Sequence, residues 1–146
     1  MNILFARLGR AGVAFPHGPW RIGKEDWIMS FIDGFVAAVP SDRKDDYIAF
    51  SRESWMLFKE FGALSMRECW GSDVPDGEVT SFPMAVQKKP EETVVFSWIE
   101  WPDKSKRDAC MASMENDPRW EAMSPDKMPF DGKRMIYGGF DPVFES

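Results

Sequence analysis

Histidine is almost missing from this chain: His17 is the single example in 146 residues. From Met29 onward there is none, which excludes histidine-based triads, histidine metal sites and haem ligation by histidine over that part. Cysteine is scarce as well. Cys69 and Cys110 fall in segments that read as a strand and a helix, without metal-ligand spacing, so they read as reduced, buried, structural thiols of a cytoplasmic protein. No apolar run approaches the roughly 20 residues of a membrane span. No glycine-rich phosphate loop follows a strand, and Tyr137-Gly-Gly-Phe140 reads as a strand bend. Basic charge is short too, 18 residues against 24 acidic. Residues 1–28 hold four basic against two acidic, so the remainder, 14 against 22, stands at −8. Phosphate backbones and anionic membranes are poor partners for such a surface.

Tryptophan and methionine are plentiful, 7 and 10, and supply bulky and adaptable filling. They surround one dominant stretch, Glu92 to Trp101, closed by Pro102. Its branched and aromatic residues suit a strand. At period two, Val94, Phe96, Trp98 and Glu100 point one way, and Val95, Ser97, Ile99 and Trp101 the other. Both sides are largely apolar, as expected of a central strand.

Residues 1–28 mix glycine, proline and scattered apolar residues without periodicity, and Arg7 and Arg10 interrupt any secretion signal. This extension reads as poorly ordered or as lying upstream of the native start. Lys24-Glu25-Asp26 can be encoded as AAG GAG GAY, a bacterial ribosome-binding sequence suitably spaced from Met29. From Met29 to Ser146 a single α+β domain is expected. Phe31–Val39 reads as a strand, and Ser41 or Asp42 as the cap of a helix to about Phe61. Tyr47, Ile48, Ser51, Trp55, Phe58 and Phe61 form its core-facing stripe, and Gly62 stops it. Leu64–Trp70 reads as a second strand. Gly71–Pro90 is a long connection, a candidate lid with one short helix near Met84–Gln87. After the dominant strand, Asp103 caps a helix through about Asn116 that turns Ala109, Cys110, Met111 and Met114 inward, with Arg107 and Asp108 on its solvated face. Arg134–Phe140 is the last strand.

The order β-α-β-β-α-β is the ferredoxin-like arrangement, a four-stranded antiparallel sheet with helices on one face. Phe35, Trp70, Phe96 and Trp98 are expected together on its other face, too much aromatic area to leave in water. A second copy of the sheet is the expected cover, giving a homodimer.

Several motifs resemble the YbaA-like family of bacterial proteins. They are Asp33-Gly-Phe-Val-Ala-Ala-Val-Pro40, Glu68-Cys-Trp-Gly71, Val74-Pro-Asp-Gly77, Glu92 to Pro102, and Met128-Pro-Phe-Asp-Gly-Lys-Arg-Met-Ile-Tyr-Gly-Gly-Phe140. The resemblance spans about Met29 to Phe144 and implies a dimeric α/β barrel, two ferredoxin-like sheets face to face. The family is a domain of unknown function, so no catalytic residue and no cofactor comes with it.

Chemistry then rests on strand carboxylates. Asp33, Glu68 and Glu100 each have large apolar neighbours two residues away. If they share the aromatic side, Asp33, Phe35, Glu68, Trp70, Phe96, Trp98, Glu100 and Tyr137 line one small-molecule pocket under residues 71–90. The alternative is structural: charges at strand ends paired with Arg67 or Arg134, and Glu100 leans that way. Function is open among a cofactor-independent enzyme without metal, a non-catalytic ligand-binding or stress-related accessory protein, and RNA binding. The last is disfavoured by the acidic charge and by Glu100 beside Phe96 and Trp98.

Overall fold

The computed structural model describes residues 30–146; the expected extension and the proposed start at Met29 lie outside the described residues. Four strands form one antiparallel sheet: β1 (Phe31–Pro40), β2 (Ser65–Trp70), β3 (Glu92–Trp101) and β4 (Ile136–Phe140). Their order is β2-β3-β1-β4, so the two longest and most apolar strands are central. β1 and β3 pair along their whole length, from Phe31 opposite Trp101 to Pro40 opposite Glu92. Helices α1 (Lys44–Glu60) and α3 (Lys104–Ser113) follow β1 and β3, and a four-residue helix α2 (Phe82–Ala85) sits in the long connection. This is the ferredoxin-like α+β fold.

Local chemistry explains most boundaries. Gly62, at φ +102°, takes the left-handed conformation that ends α1. Asp45 and Asp46 place negative charge in the first turn of α1, where the helix dipole favours it. Neither Ser41 nor Asp42 caps that helix, contrary to expectation. They lie in a preceding 3-10 turn, and the Ser41 hydroxyl meets that of Thr93 at 2.7 Å. Asp103 does cap α3, accepting from the Lys106 N–H at 2.8 Å. α3 ends at Ser113, so Cys110 alone of its expected inward set is fully buried; Met111 is half-buried, and Ala109 and Met114 are exposed.

One sheet face packs on the helices. Phe31, Ile99 and Trp101 join Cys110, Ala63 and Trp120 there, and the Phe58 ring stands edge-on to Trp101 at 6.1 Å. Val39, Val95 and Tyr47 continue this core toward Trp70 and Phe130. Each fully buried large apolar side chain contributes about 1.5–3 kcal/mol. The second face is covered only in part, where Val86 of the long connection seals Val36, Ala38 and Val94.

The expected aromatic face divides. Phe35 pairs with Ser97, and Trp70 with Val95, which puts both rings on the helix side. Phe96 and Trp98 lie on the second face. Alternation shows which residues of one strand share a side; only the pairing register shows which side of the next strand they join.

Candidate functional site

The same register separates the eight pocket candidates. Asp33, Phe35, Glu68, Trp70 and Tyr137 fall on the helix side, and Phe96, Trp98 and Glu100 on the other. They do not line one pocket. Tyr137 stacks on Phe35 at 6.5 Å on edge strand β4, at the opposite side of the sheet from Glu68 on edge strand β2. Under residues 71–90 the remaining space is about 260 Å³, walled by Gly71, Val74, Pro83, Lys88 and Thr93 among others, and none of the eight lines it. Phe82 and Val86 occupy the sheet surface instead, with Phe82 edge-on to Phe96 at 5.9 Å.

Three of the four carboxylates on the sheet stand out by their partners. Asp33 is buried and accepts the Trp101 indole N–H at 2.9 Å and three bonds from Arg107 between 2.9 and 3.1 Å. Arg107 is therefore a bridge to β1, not part of a solvated face, and it also lies over the Phe31 ring at 4.9 Å. A Cβ at Gly139 would collide with both the Phe31 ring and this guanidinium, so the glycine on β4 makes room for the contact. Burial, with the Asp33 charge adding, pushes the Cys110 thiol up to about 12, as for an inert structural cysteine. Cys69 is only half-buried.

Glu92 is the second. Arg134 grips both its oxygens at 2.6 and 2.7 Å, also bonds the Gln87 carbonyl at 2.9 Å, and holds the Glu92 carboxyl below its ordinary range. Arg134 is thus committed to Glu92 and Asp131 and does not answer Glu100. Glu100 accepts from the Ser65 hydroxyl at 3.1 Å, while Arg67 lies over the Trp98 ring at 5.7 Å. The expected Glu100–arginine pair is absent among the described residues.

Glu68 is the third, and it sits in a cleft. Between α1 and β2 an open cavity of about 580 Å³ is lined by Tyr47, Ile48, Ser51, Arg52, Trp55, Leu64, Ser65, Met66 and Glu68. The Tyr47 hydroxyl donates to Glu68 Oε2 at 2.6 Å, within the range of a charge-assisted bond. Glu68 as a residue is exposed, as edge strands are, but its carboxyl end lies against Tyr47 and the cleft wall. Loss of water there raises its pKa, and the hydroxyls of Tyr47, Ser97 and Ser51 oppose the rise. Burial and the adjoining carboxylate hold the Tyr47 phenol protonated. Ser51 Oγ is shielded from solvent and, among the described residues, has no hydrogen-bond partner. It lies near enough to bias Glu68 without making a bond of normal geometry.

Tyr47 and Ser51 were legible only as members of a core stripe. The available signal was polarity: Ser51 and Ser54 sit four and seven residues from Tyr47, on the buried side of an otherwise apolar helix face. No group of three or more histidine, cysteine, aspartate or glutamate residues is placed to hold a metal among the described residues.

Comparison with known proteins agrees with this architecture. Residues 30–132 match the profile of a family described as "Protein of unknown function (DUF1428)". The chain belongs to the DUF1428 family. "Uncharacterized protein YbaA" of Escherichia coli K12 is 56% identical to this DUF1428 chain over 117 residues, 80% of this chain and 99% of the relative. The protein of the same name from Shigella flexneri has the same identity and coverage. Among solved structures, a dimeric ferredoxin-like protein from an uncultured marine organism superposes with a TM-score of 0.55 at 14% identity. That superposition covers 80% of this DUF1428 chain and 98% of the other. At that identity the likeness supports the fold. No helix among the described residues is long and apolar enough to cross a membrane.

Proposed function

We propose that this DUF1428 chain is a small-molecule-binding protein whose ligand site is the cleft between α1 and β2. The observation that carries the reading is the Tyr47–Glu68 hydrogen bond at 2.6 Å in a cavity of about 580 Å³. Pockets for small organic molecules combine apolar walls with a few convergent polar groups. Here Ile48, Trp55, Leu64 and Met66 supply the walls, and Glu68, Tyr47 and Ser51 the polar groups. The space under residues 71–90 is smaller and lacks such a pair. A thermal-shift screen of small metabolites tests the reading, run on the full chain beside Ile48→Trp, which narrows the cleft from an exposed position. Hits that stabilise the parent and not the variant are expected. Hits equally active on both would move the site elsewhere, and a screen without hits would remove the proposal.

The second face of the sheet supports a homodimer. Phe82, Phe96, Ile136 and Phe140 are all exposed on or beside it, a contiguous apolar surface of the kind proteins cover. The dimeric ferredoxin-like neighbour is consistent with two such sheets packing together.

A further inference from the structure

Resting on that reading of the cleft, the structure points, we propose, to a small organic cation as its ligand: an amine or similar head against Glu68, carried on an apolar body against Ile48, Trp55 and Met66.

Three carboxylates of the one sheet differ in what answers them. Asp33 and Glu92 have side chains 5% and 4% exposed, and each is met by an arginine, Arg107 and Arg134 respectively. Glu68 has no ion-pair partner among the described residues. Its one hydrogen bond of normal geometry comes from a neutral phenol, to Oε2, with the Ser97 and Ser51 hydroxyls beside the same carboxyl. The two sealed carboxylates are each met by an arginine, and the one that opens into the cleft is not.

Donor and acceptor counting selects the head group. Tyr47 spends its one O–H on Glu68. A carboxylate accepts several hydrogen bonds, and the Ser51 hydroxyl, a donor as well as an acceptor, has no partner among the described residues. The one charged group of the floor is therefore an acceptor, with the neutral hydroxyls of Tyr47, Ser51 and Ser97 beside it. An ammonium offers donors only and carries the opposite charge, whereas a ligand carboxylate would meet Glu68 with like charge. Trp55 on the wall suits the apolar body and tolerates a cation near its face. Of the other charges near the cleft, Glu100 on β3 accepts from the lining residue Ser65 at 3.1 Å, and Lys44 and Arg52 lie on α1. Lys44 lies over the Trp70 ring at 5.5 Å, and Arg52 is an exposed cation at the mouth that forms no ion pair with Glu68.

Calorimetric titration of the full chain with phenethylamine, 2-phenylethanol and 3-phenylpropionate at mild alkaline pH tests the proposal. The three probes share a body and differ in head. Phenethylamine is expected to bind at least about tenfold more tightly than the alcohol, as a desolvated charge-assisted contact warrants, and the carboxylate is expected to give no heat. Glu68→Gln should bring the amine down to the alcohol and leave the alcohol unchanged. Arg52→Gln, at an exposed position that leaves folding intact, should tighten the amine by about twofold through loss of a like charge. Equal affinity for amine and alcohol, or amine binding weakened by Arg52→Gln, would overturn the proposal while leaving the cleft as a site. Failure of all three probes, alongside a screening hit lost in Ile48→Trp, would also reject the cation and keep the cleft. Failure of the probes with no such hit rejects both.

Discussion

Arg107 on α3 and Asp33 on β1, 74 residues apart in sequence, are joined by three hydrogen bonds of 2.9–3.1 Å beneath the Trp101 indole. This pair ties α3 to β1. Removing Arg107 leaves the buried Asp33 charge with only the Trp101 indole N–H, whereas removing Asp33 leaves Arg107 its bond to Asp108. Arg107→Met is therefore expected to cost about 3–5 kcal/mol in chemical denaturation, and Asp33→Asn less. The double variant should recover part of that loss. A double variant as unstable as the sum of both changes would show that the two residues act independently.

Glu92 and Arg134 make the corresponding tie at the other end of β3. The carboxyl of Glu92 is held below its ordinary 4.5, chiefly by hydrogen bonds from Arg134. A lowered folded pKa contributes stability that is present above pH 4.5 and lost as pH falls through the folded value. Glu92→Gln should lower stability at neutral pH, and the gap to the parent should narrow below about pH 4.5. Melting curves from pH 3 to 8 read this directly.

The sign is opposite for Glu68. Its pKa is raised from 4.5 by loss of water, so the folded state holds the proton more tightly than the unfolded state does. Stability from this group is present below pH 4.5 and lost as pH rises through the folded value. Glu68→Gln keeps an acceptor for Tyr47 and removes the charge. It should be at least as stable as the parent at pH 7–8, with the advantage vanishing toward pH 4.5. A variant less stable than the parent at pH 8 would contradict this sign for Glu68.

Exposed Phe96 and half-buried Trp98 on the second face predict a dimer. Sedimentation at micromolar concentration should show two copies, and Trp98→Asp should dissociate or unfold them, because a two-fold interface repeats each change. A monodisperse parent monomer would contradict that arrangement.

Gly139 predicts a local effect. A methyl group there meets Phe31 and Arg107 together. Gly139→Ala should destabilise the chain by about 1–3 kcal/mol, as overpacking does, while Gly132→Ala, close only to the Met128 sulfur, should cost less.

Element types and order were legible in the sequence because each is a local pattern. The β3 alternation, the Asp103 cap and the Gly62 stop follow from residues within a few positions of one another. The central placement of β1 and β3 followed from their apolar character on both sides. Tertiary structure alone decided the facing. A strand's two sides are equivalent until its neighbour's register is set, so Phe35 opposite Ser97, and not Phe96, removed Phe35 and Trp70 from the second face. Partner choice was beyond reach for the same reason. Composition leaves Arg67, Arg107 and Arg134 interchangeable as cations, and only the sheet order and helix placement brought Arg107 to Asp33, Arg134 to Glu92 and none of them to Glu68.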